Sequence, residues 1–189
     1  MEEKKSLLIV IDMVNGFLKE GVLSDIRINR ITPNIIKLIK EHEGEIVFVR
    51  DSHKLDCDEF KEYPVHCLEG SHESELVDEL KPYENMGRTF LKNTTNVMNE
   101  ELFIKFLDEN PDICEYIFTG CLTEVCVKNA IYGLIDYLNK NNRNGSIIVP
   151  EDCVDTFDGP GHNRDLVNEE TLNEFGNNER ILVKRMERR

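Results

Sequence analysis

Short apolar runs alternating with amphipathic helical patterns predict an α/β protein, with three layers (α/β/α) built on a six-stranded, mostly parallel sheet. Two observations carry that prediction. The apolar runs are near-continuous instead of alternating, as strands covered on both faces are, and stretches with helical spacing and capping signals stand between them. With 189 residues and 40% hydrophobic content, the chain can bury one sizeable core and reads as a single domain, 1–189.

The elements follow in order. The first strand is the run Leu7-Leu8-Ile9-Val10-Ile11. Thr32 then caps a helix with Pro33 at its first position and Ile35, Leu38 and Ile39 turned inward. Strands at 45–49 and 88–91 come next, and Asn99 caps a second helix carrying Leu102, Phe103, Phe106 and Leu107. A strand at 116–119 breaks at Gly120. A third helix opens at Thr123, with Val127, Ala130, Ile131, Leu134 and Leu138 at helical spacing, and Asn144-Gly145 closes the turn that follows it. Strands at 146–149 and 180–183 complete the six, and Asp158-Gly159-Pro160-Gly161 reads as a surface loop. Strand order is not legible at this level.

Composition narrows the function. Lys+Arg 23 against Asp+Glu 37 gives a net charge of −14, which repels phosphate backbones and anionic lipid heads, so neither nucleic acid nor a membrane is an expected partner. The N-terminal Met1-Glu2-Glu3-Lys4-Lys5 leads into an apolar run too short for a signal h-region or a membrane span, and a cytoplasmic protein is expected. The six cysteines (Cys57, Cys67, Cys114, Cys121, Cys126 and Cys153) form no CxxC pair and read as mostly reduced, several of them as packing residues. Oligomeric state is not encoded legibly, and a homo-oligomer is compatible with the chain.

The polar residues gather at one edge. Asp12 ends the first strand, Asp51 and His53 follow the second, Lys92 ends the third, and Cys126 lies beyond the fourth. All occupy carboxyl ends, the edge at which open α/β sheets bind ligands. Cys126 lies in Gly120-Cys121-Leu122-Thr123-Glu124-Val125-Cys126-Val127, at the mouth of the third helix, where free N–H groups and the helix dipole favour a thiolate. A thiol with an ordinary pKa of about 8.5 needs a base within reach, and Asp12 is the candidate, with Lys92 holding its geometry. Backbone N–H groups of the Gly120–Leu122 turn and of Cys126 are placed to stabilise an oxyanion. No GxSxG elbow is present and no histidine lies in these motifs, so a Ser–His or Cys–His enzyme fits less well. Taken singly, each residue has a plain structural reading. Together they point to acyl transfer.

Three segments, Ile11-Asp12-Met13-Val14-Asn15-Gly16-Phe17, Phe90-Leu91-Lys92 and the Gly120–Val127 stretch, resemble the isochorismatase-like cysteine hydrolases over residues 6–185. The resemblance implies a six-stranded parallel sheet, an Asp12–Lys92–Cys126 triad, a cis peptide between Cys121 and Leu122, and an oxyanion hole from the backbone of Leu122 and Cys126. Within the superfamily, the segment from Asp51 to Cys67 is similar to the metal-binding loop of nicotinamidases. Asp51 and His53, two apart on an extended segment, point the same way, and His66 after Pro64 completes a facial set with open positions. By the same resemblance Glu59 is a fourth ligand or a partner through water, and Phe17 and Tyr63 match residues that sandwich a pyridine ring. A divalent ion is implied, zinc first, with magnesium, manganese or iron as alternatives.

The expected activity is deamidation of nicotinamide to nicotinate and ammonia through a thioester. The stretch Asn93-Thr94-Thr95-Asn96-Val97-Met98 lacks the tyrosines that many nicotinamidases place after the lysine, and Asn93, Thr94 or Asn96 would present hydrogen-bonding groups instead. The runner-up is therefore a carbamoyl or ureido substrate. A third reading is a non-catalytic metal-binding relative in which Cys57 and Cys67 close a tetrahedral site. His42 and His162 have no evident partners.

Overall fold

The computed structural model describes residues 5–186; residues 1–4, the start of the N-terminal stretch weighed above as a signal segment, and 187–189 lie outside it. Strands β1 (Lys5–Ile11), β2 (Glu45–Asp51), β3 (Arg88–Lys92), β4 (Ile113–Cys121), β5 (Ser146–Pro150) and β7 (Ile181–Lys184) form one sheet in the order β3-β2-β1-β4-β5-β7. All of these ladders are parallel. The sheet has a seventh strand that the sequence did not announce, β6 (Val154–Asp155), which pairs with Gly120 and Cys121 of β4. The ladder of β5 with β4 ends at Ile117, so β6 takes over the same flank nearer the site. A two-residue strand gives periodicity nothing to detect.

Helices cover both faces. On β1 the side chains of Leu7, Ile9 and Ile11 join a core cluster with α3 (Glu101–Glu109), α4 (Lys128–Lys140) and Phe175 of α5 (Arg164–Gly176). Leu8 and Val10 join the opposite cluster with α1 (Asn15–Leu18) and α2 (Thr32–Glu41). This is the three-layer arrangement, and each fully buried Leu or Ile in it contributes about 1.5–3 kcal/mol relative to exposure. Among the described residues no helix is long and apolar enough to cross a membrane.

Both predicted caps lie one step off. A 3-10 helix, Ile26–Ile31, runs directly into α2, so Ile31 is the cap and the Thr32 hydroxyl instead donates to Asn29 Oδ1 at 2.7 Å. Before α3, Asn96 caps the 3-10 turn Val97–Asn99, accepting from Met98 N–H, and Glu100 precedes the helix. Leu102 is solvent-exposed, while Phe103, Phe106 and Leu107 carry the buried face. Helix α5 was not foreseen. Its polar residues run all round, with Thr171 and Phe175 its buried members, so it lacks the stripe that betrays a helix in sequence.

Candidate active site

The strand order reverses between β1 and β4. From β1 the chain goes to β2 and β3 on one side, then returns to β4 on the other, which makes the carboxyl ends of β1 and β4 the switch point where such sheets open a crevice. Register then delivers the chemistry. Ile11 lies opposite both Val49 and Gly120, so Asp12 emerges beside the end of β4, while Asp51 on β2 lies directly opposite Lys92 on β3. Asp12 turns sharply out of the strand with φ 51, its N–H bonded to Val49 O at 2.9 Å. Gly120 adopts φ 106, and a Cβ there would lie 1.9 Å from Ile11 O, so only glycine lets β4 approach β1 this closely. Cys121 Sγ bonds Asp12 O at 3.1 Å, and the Cys121–Leu122 peptide is cis, as the family resemblance implied. Thr123–Val127 is a π-helical turn, with Val127 N–H bonded to Leu122 O, that leads into α4 and carries Cys126.

Asp12, Lys92 and Cys126 meet in a buried cluster. Lys92 Nζ lies 2.8 Å from Asp12 Oδ2 and 3.6 Å from Cys126 Sγ, and it also donates to Asp51 Oδ1. Beyond its ion pair with Lys92, neither Asp12 oxygen has a hydrogen-bond partner among the described residues. Burial, then the nearby charge of Asp51, pushes the Asp12 carboxyl up to about 7, against the pull of Lys92. Burial disfavours the Lys92 charge, but Asp12 and Asp51 overcome it and hold the ammonium well above its ordinary value. Burial also pushes the Cys126 thiol well up, with Lys92 only partly opposing. The need for a base beside the thiol, expected from the sequence, is thereby increased. Desolvation outweighs the helix mouth, so the sulfur rests as a thiol and loses its proton only as it reacts.

Asp51, His53, Glu59 and His66 present ligand atoms all within 4.8 Å of one another. Asp51 Oδ2 is 3.4 Å from His53 Nε2 and 3.6 Å from His66 Nε2, and Glu59 Oε1 is 3.8 Å and 3.7 Å from the same two nitrogens. His66 Nδ1 donates to Pro64 O at 2.8 Å, which leaves Nε2 bare, and the buried His53 Nε2 has no hydrogen-bond partner among the described residues. Two carboxylates and two imidazole nitrogens, one orphaned, fit a divalent cation with open positions. Asp51 serves both clusters, since one oxygen meets Lys92 and the other faces the histidines. Burial works to raise its pKa, but Lys92 and the two imidazoles hold it below the usual carboxylate range. The cysteines do not join the donor set. Cys57 Sγ faces the far nitrogen of His53, Nδ1, at 3.7 Å, and Cys67 Sγ is directed to Glu73 O.

A cavity of about 850 Å³ opens over both clusters, lined at its inner end by Asp51, Glu59, His66 and Cys126 and flanked by Phe17 and Tyr63. The Phe17 ring lies 5.6 Å from that of His66. Sequence reasoning missed Phe60, whose ring edges both His53 and His66, and Phe157, which forms a cavity wall. The 158–161 stretch is a surface loop, as expected, and its residues 158–160 also line the cavity. After Lys92, Asn93 N–H donates to Glu100, Asn93 Oδ1 accepts from Lys54 N–H, and Thr94 and Asn96 satisfy their own turn; Thr95 alone of 93–98 lines the cavity.

The Isochorismatase domain family model matches residues 6–174. The chain belongs to the isochorismatase family. This isochorismatase-family protein is 27% identical over 180 residues to nicotinamidase 1 of Arabidopsis thaliana, covering 82% of this chain and 71% of the relative. It superposes on a nicotinamidase from Bacillus subtilis with a TM-score of 0.77 and 26% identity, over 95% of this chain and 98% of that one. An N-carbamoylsarcosine amidase from Thermoplasma acidophilum aligns with a TM-score of 0.73 and 25% identity, covering 96% of each chain.

Proposed function

We propose that the chain, as a single domain, is a cysteine amidohydrolase that cleaves the C–N bond of a primary carboxamide, with nicotinamide as the reference substrate. Membership of the isochorismatase family and likeness to a nicotinamidase support hydrolysis of amide C–N bonds. The residue assignments rest on the buried meeting of Lys92 Nζ with Asp12 Oδ2 at 2.8 Å and with Cys126 Sγ at 3.6 Å, Cys126 itself lining the cavity.

Asp12 takes the thiol proton as Cys126 sulfur attacks the amide carbon. The oxyanion is met by backbone N–H groups of Leu122 and Cys126. Asp12 returns its proton to the amide nitrogen, the C–N bond breaks and ammonia leaves, giving an acyl thioester. Water then attacks that carbonyl while Asp12 accepts its proton, and collapse releases the carboxylate and restores the thiol. Lys92 stays charged throughout and keeps the Asp12 and Asp51 carboxylates together. Asp51, His53, Glu59 and His66 would hold a divalent metal, zinc being the best match to the mixed nitrogen and oxygen donors, and the ion supplies an electrophilic anchor for a ring nitrogen. Phe17 and Tyr63 flank the ring.

The second reading, a carbamoyl or ureido amide, is favoured by the likeness to an N-carbamoylsarcosine amidase and by the absence of tyrosines at 93–98. Ammonia release should be screened over nicotinamide, pyrazinamide and carbamoyl and ureido amides. At least one is turned over by the wild type, and Cys126→Ala lowers that rate by about a thousandfold or more. Undiminished release by the variant would remove Cys126 from the reaction.

A further inference from the structure

The reacting and metal-binding groups occupy only the floor of the cavity. Asp51, His66 and Cys126 are 1%, 2% and 5% exposed, whereas Val22 and Ile26 at its rim are 69% and 63% exposed. Leu23, Val125 and Phe157 line the same cavity. Large apolar side chains grouped at the mouth of a buried polar site, instead of scattered singly, form a surface that a ligand covers.

This outer half is built. Arg27 Nη1 and Nη2 donate to Asp158 Oδ2 at 2.9 Å and to Asp158 O at 2.8 Å, and Asp158 N–H donates to Asp25 Oδ2 at 2.9 Å, so the segments on either side of the mouth are tied together. Phe157 stacks face to face on His162, with ring centroids 3.9 Å apart and 9° between planes. His162 Nε2 in turn lies 3.0 Å from Glu124 Oε1, on the turn that carries Cys126. The wall and the nucleophile are therefore fixed to one another. The two cations that line the cavity are already paired, Arg27 with Asp25 and Asp158, and Lys19 with Glu79 at 2.7 Å. The rim is thus suited to a neutral, apolar group.

A single pyridine ring held at the floor leaves this rim uncovered. A cavity of about 850 Å³ is in the range of pockets that enclose drug-sized ligands, about 300–1,000 Å³. We infer that the outer half is a second subsite and that the substrate is a primary carboxamide bearing an apolar arm, aryl or alkyl, on the side away from the amide. The inference rests on the amidohydrolase reading for the identity of the reacting group. Phe157 and Ile26 determine specificity in it by contact with the arm.

Calorimetric titration of the zinc-supplied Cys126→Ala protein, with Cys126→Ser as the second background, reads the subsite without turnover. The probes are nicotinamide against a nicotinamide carrying a phenyl group meta to the carboxamide, and acetamide against heptanamide. In at least one pair the extended amide binds about tenfold tighter or more, equivalent to about 1.4 kcal/mol. Ile26→Ser and Phe157→Ala, added to that background, each narrow the ratio. Equal or weaker binding of both extended probes, or a ratio that neither substitution moves, overturns the second subsite. Ammonia release from the same amides by the wild type is scored separately. Tight binding of an extended amide with no release from any probe overturns the amidohydrolase reading and leaves the subsite standing.

Discussion

In the proposed reaction the chemistry turns on Asp12, whose carboxyl burial and Asp51 push up to about 7. A base acts only when ionised, so the active fraction is small in acid and grows as pH rises through that value. The acid limb of kcat/KM should therefore rise about tenfold per pH unit below 7 and level off above about 8. A profile flat from pH 5 to 8 contradicts Asp12 as the base. The meeting of Asp12, Lys92 and Cys126 was legible in the sequence, since each ends or follows an apolar run and carboxyl ends share one edge. What was hidden is environment. The thiol's rise in pKa comes from enclosure by residues distant in the chain, and no local motif reports enclosure. Asp51 read only as a metal ligand, because its pairing with Lys92 depends on β2 and β3 lying side by side in register. His162 read as partnerless for the same reason, its contacts with Phe157 and Glu124 being tertiary.

Among the elements, the close parallel pairing of β1 with β4 sets how Asp12 lies to the turn that carries Cys126, and Gly120 permits that closeness. A methyl group there meets Ile11 O, in a backbone conformation that side chains other than glycine rarely adopt. Gly120→Ala should destabilise the fold by about 3 kcal/mol or more in urea unfolding, with loss of activity in the folded fraction. A cost below about 1 kcal/mol would mean that β4 relaxes freely and that the close approach does not matter. The glycine was visible in sequence as the break after the apolar run, but its reason was not. The misplaced caps have a common cause. Thr32 and Asn99 are good capping residues, but Thr32 directly follows the 3-10 helix Ile26–Ile31 and Asn99 ends the 3-10 turn Val97–Asn99, so in each case a 3-10 turn at the boundary moves the helix start by one residue. Helix α5 escaped because burial of Thr171 and Phe175 alone fixes its facing.

For the whole molecule, the parallel three-layer class followed from near-continuous apolar strands, whereas strand order and the short β6 depend on pairing that local pattern does not encode. Folding brings Asp51, His53, Glu59 and His66 together from a loop that the unfolded chain leaves spread, so a metal that binds there stabilises the native state. At free zinc about a hundredfold above Kd the gain is about 2.7 kcal/mol. Thermal melts should accordingly rise by several degrees on adding zinc after chelation, and His66→Ala should lose most of that rise. An equal rise in the variant would place the ion elsewhere.

In the proposed reaction the sheet brings Asp12, Lys92 and Cys126 together so that the sulfur of Cys126 carries the acyl group. Acid quenching during turnover of the best amide, followed by peptide mass mapping, tests it most directly. An added acyl mass is expected on the peptide containing Cys126, absent in Cys126→Ala. An adduct on another residue, or turnover by Cys126→Ala at the wild-type rate, contradicts it.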